Sequence, residues 1–138
     1  MDNIFGMTGR LNHQVQLDTV LHMAKDDMDI LAVILFGSAA RGEVTAGSDT
    51  DVCIVLDQHS NPSVSSAKRL QYLSVADLDI VIFQQLPIYI RHRVIKEGKV
   101  LFCRDEDMLY AIALRNAREF EDFRHIYKEY LGEVSLAR

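Results

Sequence analysis

The stretch FGSAARGEVTAGSDTDVCIVLD, Phe36 to Asp57, decides how this chain is read. It places Gly37 and Ser38 at the end of an apolar run, leaves ten residues, and sets Asp49 and Asp51 at the mouth of a second apolar run. In an extended chain, side chains two apart share a side, so both carboxylates face the same way at the entrance of a strand. Two like charges this close repel unless something positive lies between them. Hard divalent cations such as magnesium bind carboxylate oxygens and keep substrate phosphates and waters as further ligands. The aspartate pair therefore points to metal-bound phosphate chemistry.

Gly37 and Ser38 supply the other half. A glycine at a strand end lets backbone amides approach a ligand, and a following helical turn aims further N–H groups at an anion. The serine hydroxyl can donate to a phosphate oxygen, and Gly42 and Gly47 let the connection fold back toward the aspartates. Metals shared with an attacking hydroxyl call for a third carboxylate. The segment ADLDIVIF offers Asp77 and Asp79, which alternation alone places on the same face.

Outward from this stretch the pattern alternates between helical and extended periods. Leu17, Val20, Leu21, Ala24 and Met28 recur at helical spacing between Asn12 and Asp29, which predicts a first helix. Ile30 to Phe36 and Val52 to Leu56 read as strands buried on both faces. Residues 38–44 fit a short helix or turn. Val64, Ala67, Leu70 and Leu73 give a weaker helical face, and Leu78 to Phe83 a third strand. A helix from about Pro87 to Glu97 stops at Gly98, and a short strand covers Val100 to Cys103. A long helix covers Asp105 to about Gly132. Strands framed by helices predict an α/β (α+β) fold with one mixed sheet of about four strands. No repeat or linker interrupts residues 1–138, so a single domain is expected.

Composition narrows the function further. The 138 residues are 49% hydrophobic and 25% charged, as expected for a packed globular chain. A net charge of -5 and an isoelectric point near 5.4 argue against a broad basic face that grips nucleic acid directly. No leader pattern or run of membrane-spanning length is apparent, so a cytoplasmic protein without a membrane role is expected. Cys53 and Cys103 each lie in or after an apolar run and read as reduced, buried thiols. Arg118 and His125 in RNAREFEDFRHIY read as an exposed charged face of the last helix. Phe120, Phe123, Tyr127 and Tyr130 are expected to divide between core and partner surface.

GSAARGEVTAGSDTD resembles the glycine-serine, ten-residue, Asp-x-Asp signature of the minimal nucleotidyltransferase family in the DNA polymerase β-like superfamily. DIVIFQQLPIYIRHRVIKEGKVLF, Asp79 to Phe102, is similar to the family's third-aspartate strand, its proline-led helix, and the glycine and strand that follow. The likeness spans roughly residues 30–103. It implies that Gly37 and Ser38 hold a nucleotide triphosphate and that Asp49 and Asp51 ligate magnesium. Asp79 becomes the third acidic residue, because its distance to Pro87 fits the family spacing. Arg41 falls where the family often has an arginine, and either touches phosphate or pairs with Glu43 or Asp49.

The resemblance further implies two magnesium ions, ATP as substrate, and a helical HEPN ribonuclease toxin as partner, in a possible hetero-oligomer. Family members act as antitoxins that transfer AMP to a tyrosine of that toxin. Two alternatives stay open: transfer to a small-molecule hydroxyl, and neutralisation of a toxin by binding alone. Only about 35 residues follow the last strand, fewer than small-molecule transferases use to bind an acceptor.

Overall fold

The computed structural model describes residues 2–37 and 50–136, with side chains described for 14–37 and 50–132. The elements run α1 (Asp2–Asp26), β1 (Ile30–Phe36), β2 (Asp51–Leu56), α2 (Ser65–Leu73), β3 (Asp79–Ile82), α3 (Ile88–Glu97), β4 (Lys99–Cys103) and α4 (Glu106–Leu136). The strands form one mixed sheet in the order β3-β2-β1-β4. β1 is antiparallel to β2 and β4, and β2 is parallel to β3 through the α2 crossover. The expected mixed four-stranded sheet with a long C-terminal helix is therefore present.

The central strands are aliphatic on both sides because both sides are covered. Val33, Val52, Ile54, Ile80 and Ile82 pack with Val20 and Ala24 of α1 and Tyr72 of α2. Ile34, Cys53 and Val55 pack on the opposite face with Val94 of α3 and Met108, Leu109 and Ile112 of α4. Among the described residues, no helix is long and apolar enough to cross a membrane.

The helices depart from expectation at their ends and in one face. α1 begins at Asp2, ten residues before the expected start, since Gly6 and Gly9 weaken the local helical signal without breaking the helix. It ends at Asp26, so Met28 lies beyond it and is exposed instead of packing. In α2 the predicted face is displaced: Ala67 and Leu70 are exposed, and the contact runs through Tyr72 and Leu73. α3 begins directly after Pro87 and stops at Gly98, as expected. α4 runs past Gly132, where a side chain would meet open space.

Two polar devices lock α1 and α2 in place. The Arg104 guanidinium donates to the carbonyls of Ala24, Lys25, Asp27 and Ile30 at 2.9, 3.0, 3.2 and 3.2 Å, capping the C-terminal end of α1. Lys68 of α2 donates to Asp27 Oδ2 at 2.8 Å and lies 3.0 Å from Asp29 Oδ2, while the buried Tyr72 hydroxyl donates to Asp27 Oδ2 at 3.2 Å.

Candidate active site

The site grows from the register of the three strands that end at one edge of the sheet. Phe36 at the end of β1 pairs with Asp51 at the start of β2, and Asp51 pairs with Asp79 at the start of β3. The Asp79 N–H donates to Thr50 O at 3.1 Å, which pins that register. Neighbouring strands run roughly 4.8 Å apart, so Asp51 and Asp79 stand side by side at this end of the sheet, on the face covered by α3 and α4. The next layer down is Ile34, Cys53 and Val81, paired in the same order. Cys53 is fully buried there as part of the core, and burial pushes its thiol pKa far up.

Gly37 turns the chain out of β1 at a φ of +77°, the left-handed region that glycine adopts without penalty. A Cβ at this position would overlap the Asp51 carboxylate. The glycine is therefore required twice over, by its backbone angle and by the carboxylate against it.

Of the three expected acidic residues, Asp51 and Asp79 are brought together and Asp49 lies outside the described residues, as do Ser38 and Arg41. Asp77 precedes β3 and is exposed, and its backbone N–H donates to Gln16 Oε1 of α1 at 2.6 Å. Among the described residues, no group of three His, Cys, Asp or Glu side chains is placed to hold a metal ion. Carboxylate oxygens are the hard donors that bind divalent cations such as magnesium, so the chemistry of the pair fits such an ion.

The remaining expectations fall out as follows. Both cysteines are free, but Cys103 is only half-buried, because β4 is an edge strand. Phe120 stacks on His92 of α3 with ring centroids 3.7 Å apart, whereas Phe123, Tyr127 and Tyr130 are exposed. Arg118 is exposed, and His125 lies on the surface 3.1 Å from Glu129. Sequence reading missed a polar cluster around Asn116 at the far end of the sheet, because one asparagine among charged helix residues carries no periodic signal.

Comparison with known proteins places the chain in a family. Residues 18–107 match the family described as Polymerase beta, Nucleotidyltransferase. The chain is 33% identical over 101 residues to a protein of Methanocaldococcus jannaschii that carries the name of a protein adenylyltransferase, covering 72% of this chain and 71% of that one. A second protein of that organism, named in the same way, is 42% identical over 50 residues, or 36% of this chain and half of its own.

Two solved structures share the fold. One, described as a toxin-antitoxin with AMP-PNP, superposes with a TM-score of 0.64 at 16% identity over 86% of this chain and 95% of that chain. The other contains a tri-AMPylated HEPN toxin of Shewanella oneidensis in complex with MNT antitoxin. It superposes with a TM-score of 0.62 at 15% identity over 88% of this chain and 98% of that chain. The match across most of the chain, centred on the strands that carry Gly37, Asp51 and Asp79, makes this protein a nucleotidyltransferase of the polymerase β family.

Proposed function

We propose that the chain is a magnesium-dependent protein adenylyltransferase of the cytoplasm, one domain throughout, that transfers AMP from ATP to a tyrosine hydroxyl of a cognate HEPN ribonuclease toxin and so acts as its antitoxin. The observation that carries the reading is the pairing of Asp51 with Asp79 beside the left-handed turn at Gly37. The name of the 33% identical relative supports protein as acceptor, and the toxin-antitoxin complexes that share the fold support a toxin as partner.

In this reading Gly37 and Ser38 hold the triphosphate through backbone N–H groups and a hydroxyl, with Arg41 on a phosphate oxygen. Asp49, Asp51 and Asp79 would hold two magnesium ions. When bound, these ions neutralise the triphosphate and the charge that develops on the transferring phosphorus. Asp79 takes the proton of the acceptor hydroxyl as that oxygen bonds to the α-phosphorus, and the bond to pyrophosphate breaks in line. Exposed Phe123, Tyr127 and Tyr130 on α4 form part of the surface that meets the toxin.

The test incubates the purified chain with magnesium, α-labelled ATP and extract of its native host, beside an Asp49→Asn, Asp51→Asn double variant. Label in one protein band with the intact chain alone supports the reading, and that band names the acceptor. Label on a small molecule transfers the activity to the small-molecule alternative. Association with a helical partner by both forms, without label, means that binding alone neutralises it.

A further inference from the structure

β4 (Lys99–Cys103) stands at one side of the sheet: it pairs with β1, and among the described residues no strand pairs with its other edge. Along that edge, on the face covered by α3 and α4, runs a groove of about 370 Å³. Its floor includes Val100 and Cys103, and its walls include Ile95 of α3 and Tyr110 and Ala113 of α4. Val100 is 48% exposed and Tyr110 70%, and Leu114, one turn after Tyr110 on the same side of α4, is 42% exposed. Single apolar side chains at a surface are ordinary, but three gathered at one sheet edge mark a contact surface.

The charges at the two ends of β4 restrict what covers it. Arg93 and Lys96 of α3 and Lys99 of β4 are exposed at one end, and Glu106 and Asp107, in the first turn of α4, at the other. Among the described residues, none of these five forms an ion pair. Lys96 and Glu106 lie five residues to either side of Leu101, the middle of β4. A two-fold axis there brings the basic end of each copy to the acidic end of the other. The edge is thus complementary to itself, with basic, apolar and acidic groups in order along it. As a template for open-ended strand addition it is poor, because Lys99 stands on it and Leu101 is an extra residue where Val33 pairs with Phe102 and Ile34 with Val100. The contact therefore runs through side chains beside the strand, where α4 carries Tyr110 and Leu114.

We propose that the β4 edge is the interface of a two-fold dimer of this chain, in which Tyr110 and Leu114 of each copy cover the groove and Val100 of the other, and Lys96 pairs with the other copy's Glu106. Such a dimer is closed, because a two-fold contact uses the same surface on both copies and leaves none over. It lies at the opposite edge of the sheet from β3, which carries Asp79, and does not depend on the acceptor proposed above.

The test is sedimentation equilibrium of the purified full chain between about 1 and about 100 μM, with the Tm of every variant measured alongside. A reversible species of twice 15.7 kDa is expected in that range. Tyr110→Ser should weaken self-association at least about ten-fold with an unchanged Tm, since the side chain is 70% exposed. Lys96→Glu and Glu106→Lys should each weaken it about ten-fold, and both changes in one chain should restore it, because opposite charges face each other again. Should Glu106→Lys fail to fold, Lys96→Ala and Glu106→Gln replace the swap in a double-mutant cycle, with a coupling of at least about three-fold expected. A chain that stays monomeric throughout the range overturns the proposal. So does a dimer that Tyr110→Ser and the charge variants leave unchanged, which would put the contact on another surface. A double swap that folds but does not recover association overturns it as well.

Discussion

Gly37 and Asp51 are in such close contact that any side chain at position 37 would occupy the space of the Asp51 carboxylate. The turn that leaves β1 and the first carboxylate of β2 are therefore one unit, and its geometry is set by the absence of a Cβ. Gly37→Ala must both adopt a φ of +77° and displace the carboxylate. The expected outcome is a loss of about 1–3 kcal/mol in stability from backbone strain, read by urea unfolding. Nucleotidyl transfer should fall by about a hundred-fold from misplacement of the carboxylate. Wild-type transfer in the variant would show that Asp51 is not held by this contact.

Asp79 and Asp77 separate by strand pairing although their alternation is identical, since only Asp79 pairs with Asp51. Asp79→Asn should lower nucleotidyl transfer by about 10²–10⁴-fold, with a Tm close to that of the parent because the side chain is exposed at the strand end. Asp77→Asn should leave transfer unchanged, since Gln16 engages only its backbone N–H. Rates measured on both purified variants decide the matter, and equal losses would remove the distinction.

Stability should fall at both ends of the pH scale through one cluster. The Lys68 ammonium, hydrogen-bonded to Asp29, holds that carboxyl below its ordinary value of 3.8. This contribution is complete above pH 3.8 and is lost as pH falls through the lower folded value. Burial pulls the Lys68 pKa down, but its bonds to Asp27 and Asp29 outweigh that and raise it above 10.5. Its contribution is present below pH 10.5 and is lost as pH rises through the folded value. Burial and Asp27 also push the Tyr72 phenol up from 10.0, so it resists ionisation in the fold and adds to the alkaline loss. Lys68→Met should cost about 1–3 kcal/mol at neutral pH and flatten both limbs of a denaturation-versus-pH profile. Adding Tyr72→Phe should flatten the alkaline limb further.

Arg104, just after β4, donates to four carbonyls: Ala24 and Lys25 in the last turn of α1, Asp27 just beyond it, and Ile30 at the start of β1. Arg104→Lys keeps the charge near the helix C-terminus but cannot fork among these acceptors. A loss of about 1–3 kcal/mol is expected, with faster amide exchange confined to the end of α1. Exchange that accelerates uniformly would mean that the contact is not local to that end.

The strands were legible in the chain because each is a short aliphatic run with a punctuating residue at its end. Ile30 to Phe36 stops at Gly37, and α3 sits between Pro87 and Gly98, as their local chemistry dictates. The spacing of Gly37, Ser38, Asp49 and Asp51 was equally readable, since it depends only on neighbours along the chain, although Ser38, Arg41 and Asp49 lie outside the described residues. Helix faces were less readable. α2 shows Leu70 to solvent and buries Tyr72, because its position on the sheet is fixed by the Lys68 and Tyr72 bonds to Asp27 and by Arg69 donating to Ile80 O.

Alternation with a period of two gave Asp77 and Asp79 the same standing. Strand pairing breaks that tie, because the parallel register of β2 and β3 sets Asp79 opposite Asp51 while Asp77 stays outside the ladder. Register is a long-range property, selected when Val52, Ile54, Ile80 and Ile82 are buried together. The polar cluster around Asn116 has the same origin: its members come from the β2 end, α3 and α4, which are distant in sequence and meet only when the helices cover the sheet. The residue types and their local order were written in the chain, while the placement of Asp79 opposite Asp51 and the burial of the Asn116 amide arose from packing.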